Sequence, residues 1–175
     1  MNEIIESNRQ YIGEISIRVD KFNLNGKIVQ KEIVEHAPSV GIIPFINANE
    51  IILVKQYRLA ANETLIEIPA GKIEKGESVE QAAAREMAEE TGFKGKIIPL
   101  TRIYLAPGYD TELMNVFIAT DLEKVTTSEM DEDEEIETIK LPFEESIRMC
   151  MSGEIADSKT IASLLTYQNK KRYEG

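Results

Sequence analysis

Residues 11–36 alternate apolar and polar side chains in two stretches, YIGEISIRVDKF and KIVQKEIVEH, with Asn25-Gly26 between them. A period of two marks strands with one buried face, and Asn-Gly is the residue pair that a tight hairpin turn demands. The chain therefore predicts an N-terminal hairpin forming a small antiparallel sheet of its own, which needs a partner surface to be stable. From residue 39 the pattern changes. Residues 39–46 and 51–57 (IILVKQY) are nearly continuous apolar runs around the turn NANE, and LIEIP follows as a short third strand. Such runs are what a strand covered on both faces looks like.

A helix comes next. Ser78 with Gln81 three residues on forms a capping-box signature, Ala82 to Ala84 favour helix, and Gly92 supplies a stop. KIIPLTRIYL and LMNVFIAT read as two more strands, and the acidic run SEMDEDEEIE leads into a strand at 136–141. Pro142 opens a helix through about Ser152, and Asp157 caps a last one, SKTIASLLTYQNKK. Strands interrupted by few helices predict an α+β fold rather than a regular β–α alternation. The change of pattern divides the chain into an N-terminal sheet region, 1–38, and a main domain, 39–175.

Composition narrows the function. With 175 residues and 42% apolar content the chain can bury one sizeable core. A net charge of −11 disfavours nonspecific attraction to nucleic acid or anionic membranes. Anionic substrates then require local arginines or a divalent cation. Cys150 is the single cysteine, which excludes an intramolecular disulfide and fits a reducing compartment. No apolar run reaches membrane-spanning length, and MNEIIESNRQ lacks the basic and apolar regions of a secretory leader. The expectation is a cytoplasmic protein with neither nucleic-acid nor membrane partners.

The candidate chemistry lies in AGKIEKGESVEQAAAREMAEETGF, residues 70–93. Gly71-x-x-x-x-Gly76 begins like a phosphate-cradling loop, yet Glu77-Ser78 stands where a nucleotide-binding loop carries Lys followed by Ser or Thr. Glu80, Glu86, Glu89 and Glu90 follow, a helix that repels phosphate. At helical spacing Glu86 and Glu90 share one face, with Glu89 beside them and Val79, Ala83, Ala84 and Met87 forming a neighbouring apolar arc. Such a cluster is either a solvated acidic face, with Arg85 paired to Glu89 one turn on, or a site for a divalent cation. Oxygen ligands without Cys or His company favour Mg²⁺ or Mn²⁺.

The whole spacing resembles the Nudix box: Gly71, Glu77, Arg85-Glu86-Met87, Glu89-Glu90 and Gly92-Phe93 occupy its nine defined positions. This resemblance implies a Nudix-type α/β/α sandwich with a mixed sheet, plus the small N-terminal sheet, and resolves the paradox of the acidic helix. There the helix holds metal, and the metal holds a pyrophosphate. It implies metal ligands at Glu86 and Glu90, with Glu89 contributing and the backbone carbonyl of Ala70 completing the site. Gly71, Glu77, Arg85 and Gly92 become the structural members of the box, Glu77 and Arg85 as an ion pair.

KQYR at 55–58 ahead of LIEIPAGKIEKGE, APGYDTE at 106–112 and GEIADSKTIASLL at 153–165 resemble the ADP-ribose pyrophosphatase branch. The branch implies substrate contacts at Arg58, Pro107, Gly108 and Glu112. It also implies a water-activating carboxylate in the acidic run, at Glu132 or alternatively Glu134 or Glu135. The implied reaction is Mg²⁺-dependent hydrolysis of ADP-ribose to AMP and ribose 5-phosphate by a homodimer, its N-terminal sheets packing between subunits. Other nucleoside diphosphate sugars such as GDP-mannose, dinucleotides, or a non-catalytic ADP-ribose sensor are the alternatives.

Overall fold

A computed structural model of the chain describes residues 3–13, 15–125 and 136–174. It divides into two compact units: residues 1–38 with 104–114, and residues 39–103 with 115–175.

The first unit is a three-stranded antiparallel sheet of β1 (Glu3–Ile12), β2 (Ser16–Leu24) and β3 (Lys27–Glu35), in that order. The expected hairpin is β2–β3. Asn25 and Gly26 both take positive φ, 52° and 85°, so Leu24 pairs directly with Lys27 across a two-residue turn. β1 is a strand that periodicity did not reveal. Its pairing with β2 shifts register between Ile4 and Glu6 and again between Arg9 and Tyr11, and each shift breaks the alternation a strand normally displays. Segment 104–114 joins this unit: the Val34 N–H donates to the Tyr109 carbonyl at 2.7 Å, and the Thr111 N–H to the Val34 carbonyl at 3.1 Å. Ile4, Ile5, Tyr11, Ile12 and Ile28 are exposed, a large apolar content for a sheet surface.

Charged pairs stitch these strands together. Glu35 accepts from Arg9 Nε at 2.7 Å and from Arg18 Nη1 at 2.8 Å, and Arg18 Nε also reaches the buried Asp20 at 2.9 Å. Hydrogen bonds from Arg9 and then Arg18 hold the Glu35 carboxyl at about 2, below its ordinary 4.5. A depressed acid lends stability that is complete above 4.5 and is lost as pH falls from there towards about 2. Amide protection factors in β1–β3, which remove the intrinsic pH dependence of exchange, should fall over that interval, and Glu35→Gln should remove that acid dependence. An identical acid profile in wild type and variant would show that these pairs contribute nothing.

The second unit holds two sheets. One has the order β10–β5–β6, from β5 (Glu50–Arg58), β6 (Glu63–Glu67) and β10 (Ile136–Pro142). The other has the order β7–β4–β9–β8, from β4 (Ser39–Pro44), β7 (Ala70–Lys72), β8 (Phe93–Tyr104) and β9 (Leu113–Lys124). The helices are α1 (Val79–Thr91), α2 (Phe143–Ser152) and α3 (Ser158–Glu174).

Every residue of β4 is buried, and its two faces look into different cores. Val40 and Ile42 pack with Ala82, Ala83 and Met87 of α1, together with Phe117 and Ala119. Ile43 and Phe45 pack on the other side with Phe143 and Ile147 of α2, Ile155, and Leu164 of α3. The continuous apolar run at 39–46 is thus the middle of an α/β/α arrangement, one helix on one side and two on the other. Fully burying each such aliphatic side chain contributes about 1.5–3 kcal/mol. Phe45, Phe143 and Tyr167 close the far core as an aromatic trio with ring centroids 4.9–5.7 Å apart.

Candidate active site

α1 is held at both ends by the residues that predict it. Ser78 Oγ accepts from the Gln81 N–H at 3.2 Å, and Gln81 Oε1 accepts from the Ser78 N–H at 2.8 Å. Gly92 ends the helix in the left-handed region at φ 72°, its N–H donating to the Ala88 carbonyl at 2.9 Å. Between these ends, the buried side runs through Ala82, Ala83 and Met87, with Ala84 only partly covered. At about 100° per residue, Glu86 and Glu90 fall within that buried stripe and not merely alongside it. The stripe is apolar in its first turns and acidic in its last.

Those acids meet β7. Residues 70–72, expected as loop, form a short strand against β4, with Gly71 opposite Val40 and Ala70 opposite Gly41. A Cβ built on Gly71 would fall on the Glu86 carboxyl group, so the glycine is the space in which this carboxylate lies. Glu90 accepts the Ala70 N–H at 3.2 Å. Burial pushes the Glu86 carboxyl above the ordinary carboxylate range and outweighs the opposing pull of Arg85.

Arg85 ties the loop to the helix. Its Nε and Nη2 fork onto Glu77 at 3.0 and 3.1 Å, and Nη2 also donates to the Lys72 carbonyl at 3.0 Å. Nη1 donates to Glu86 and to Glu89, both at 2.9 Å. The fork depresses Glu77, whose carboxyl lies below its ordinary value. Arg85 thus serves both readings of the helix, pairing with Glu89 one turn on and with Glu77 across the loop.

Among the described residues, no three His, Cys, Asp or Glu side chains already converge as a cation cage. The donor chemistry nevertheless suits an oxygen-seeking divalent cation. Two carboxylates share a single cationic nitrogen of Arg85, which shows that they can close on one positive charge. One of them, Glu86, is mostly covered, and its desolvation outweighs the Arg85 pairing, so a further cation there would lower the cost of its charge.

The remaining expected residues fall in different places. Arg58 ends β5 and forks onto Glu67, with Nε at 2.8 Å and Nη2 at 2.7 Å from the two carboxylate oxygens. Pro107 and Gly108 occupy an exposed turn, and Glu112, half-buried, has its carboxylate 3.5 Å from His36 Nδ1; these three belong to the first unit. Glu132, Glu134 and Glu135 lie outside the described residues. Glu67 and Lys159 were not anticipated. The one local hint was a lone glutamate in the otherwise apolar LIEIP.

Residues 35–164 match the NUDIX domain, and the chain belongs to the Nudix family. It is a pyrophosphohydrolase of that family, whose members generally use divalent metal ions. Over 149 residues it is 38% identical to an ADP-ribose pyrophosphatase of Bacillus subtilis (strain 168), covering 84% of this chain and 80% of the relative. It is 35% identical over 153 residues to a methanol dehydrogenase activator of Bacillus methanolicus, covering 86% and 83%. A GDP-mannose pyrophosphatase of Salmonella arizonae is 34% identical over 172 residues, covering 91% and 89%. The crystal structure of an ADP compounds hydrolase superposes with a TM-score of 0.87 at 22% identity, over 99% of this chain and 96% of the other, and shares its fold.

Proposed function

We propose that this enzyme hydrolyses the pyrophosphate of ADP-ribose, giving AMP and ribose 5-phosphate, in a reaction that depends on Mg²⁺ or, in its place, Mn²⁺. The observation that carries the reading is the acidic end of the α1 stripe laid on Gly71, with Glu86 filling the space a side chain would take. Glu86 and Glu90 hold the cation, Glu89 contributes, and the Ala70 carbonyl completes the set. When bound there, a divalent cation neutralises a diphosphate and acidifies water. Arg85 and Glu77 keep the loop and helix in register around it. Arg58 contacts phosphate or stacks on the base, as a planar guanidinium can do. Pro107, Gly108 and Glu112 complete the substrate contacts. Glu132, or alternatively Glu134 or Glu135, takes the proton from the attacking water while the bridging P–O bond breaks.

The substrate assignment leans on the Bacillus subtilis relative and on the residues resembling that branch. GDP-mannose is the second reading, favoured by the Salmonella relative that aligns over nearly the whole chain. The exposed isoleucines of the N-terminal sheet support a homodimer joined through that sheet. Among the described residues no helix is long and apolar enough to cross a membrane. A cytoplasmic location is the reading that the single cysteine, Cys150, supports, since it fits a reducing compartment.

The test is AMP release from ADP-ribose, run beside GDP-mannose and a flavin dinucleotide, with Mg²⁺ and with EDTA. We expect metal-dependent AMP formation with ADP-ribose preferred. Preference for GDP-mannose would keep the chemistry and replace the substrate. Turnover that survives EDTA would overturn the metal site.

A further inference from the structure

The buried carboxylate of Glu67 has two cations on it. Arg58 forks across both of its oxygens, and Lys159 Nζ bonds to Oε2. Lys159 also pairs with Asp157 at 3.0 Å. Asp157 accepts from the Thr160 hydroxyl at 2.6 Å, and that hydroxyl accepts the N–H of Ile68, the residue after Glu67, at 2.8 Å. The group ties the end of β5, the end of β6 and the start of α3 into one assembly.

Its exposure is lopsided. The side chains of Glu67, Lys159 and Asp157 are 1%, 10% and 13% exposed, against 39% for Arg58. Three members are fixed in the interior and the fourth opens outward. Burial pulls the Glu67 carboxyl up, but the Arg58 fork and Lys159 prevail and hold it below its ordinary value, so it remains a charged anchor. Stability alone is a poor explanation for such an arrangement, because apolar residues of similar volume often serve a buried position as well or better. A two-pronged fork does something apolar packing cannot: it fixes the plane of a guanidinium on a long, otherwise rotatable side chain. Only Pro69 and Ile68 separate Glu67 from Ala70, so the anchor and the metal-binding edge share one short run of chain.

We infer that Glu67 is a positioning residue, which, clamped by Lys159, sets the orientation in which Arg58 meets the diphosphate-containing substrate. The inference rests on the proposed role of Arg58 as a substrate contact.

The experiment is a double-mutant cycle on ADP-ribose hydrolysis using Glu67→Asp, Arg58→Ala and the pair. Glu67→Asp keeps the charge but shortens the anchor by one methylene. We expect it to lower kcat/KM by about 10- to 100-fold, mainly through KM, since small misplacements of a positioning group carry costs of that order. In the Arg58→Ala background the same change should cost less than about twofold, because there is nothing left to position. An equal loss in both backgrounds would make Glu67 merely structural and overturn the inference, while leaving Arg58 as a contact. Near-wild-type kinetics in Arg58→Ala would remove the Arg58 assignment itself, and the positioning role with it. Should Glu67→Asp fail to fold, Glu67→Gln takes its place in the same cycle, keeping the size of the side chain without the charged fork. A loss that vanishes in the Arg58→Ala background supports the inference, and an equal loss in both backgrounds overturns it.

Discussion

Replacing Glu86 or Glu90 by glutamine should lower turnover about a thousandfold at saturating Mg²⁺ and leave the protein folded. A divalent cation at a reacting phosphoryl group is worth several kcal/mol of barrier, and each ~1.4 kcal/mol is about tenfold in rate. Glutamine keeps the size of the side chain and removes the charge that we propose holds the cation. The fold should not suffer. Burial already disfavours the ionised Glu86 carboxyl, so a neutral amide there relieves a cost in the metal-free protein. At Glu90 the amide oxygen can still accept the Ala70 N–H. Steady-state kinetics with a Mg²⁺ titration, beside thermal melts with and without metal, separates the two effects. Near-normal activity in both variants would sink the metal-site assignment, and lost activity with a lost fold would show that these acids are structural.

Gly71→Ala should cost about a hundredfold in activity and little in stability. The added methyl falls on the Glu86 carboxyl, the movable end of a flexible side chain, so it is the carboxylate that gives way. The φ of Gly71 lies outside the left-handed range, so alanine meets no backbone penalty, and unfolding free energy should stay within about 1 kcal/mol of wild type. A catalytic carboxylate displaced by about an ångström commonly costs on the order of a hundredfold. Kinetics combined with chemical denaturation tests this. Wild-type kcat/KM in Gly71→Ala would mean that the carboxylate does not work from the position it occupies here.

What could be read from the residues in advance follows the range of the forces involved. α1 was legible to the residue at both ends because its capping box and its left-handed glycine act over three or four positions. The Asn25-Gly26 turn was legible for the same reason. β1 was not, since two register shifts scramble its alternation and only pairing with β2 reveals it. The buried stripe of α1 was expected beside its acids. Packing against β4 and β7 turns the helix so that Ala82 is buried and Ala84 is not, which brings Glu86 onto the stripe. The box was recognisable from spacing alone, but Glu67 was not a candidate. Its partner Lys159 is 92 residues away, a separation no local pattern spans.

Ala82 and Ala83 are fully buried against β4, and neither has a side chain beyond Cβ. The thickness of this contact therefore fixes the distance from the helix axis to Gly71. An isoleucine or leucine there would wedge the helix outward and carry Glu86 and Glu90 with it. The two alanines thus behave as a gauge block under the edge where we propose the cation binds. A larger residue that improved packing would still detune the chemistry, so neither position is open to the ordinary core-filling route to a sturdier protein.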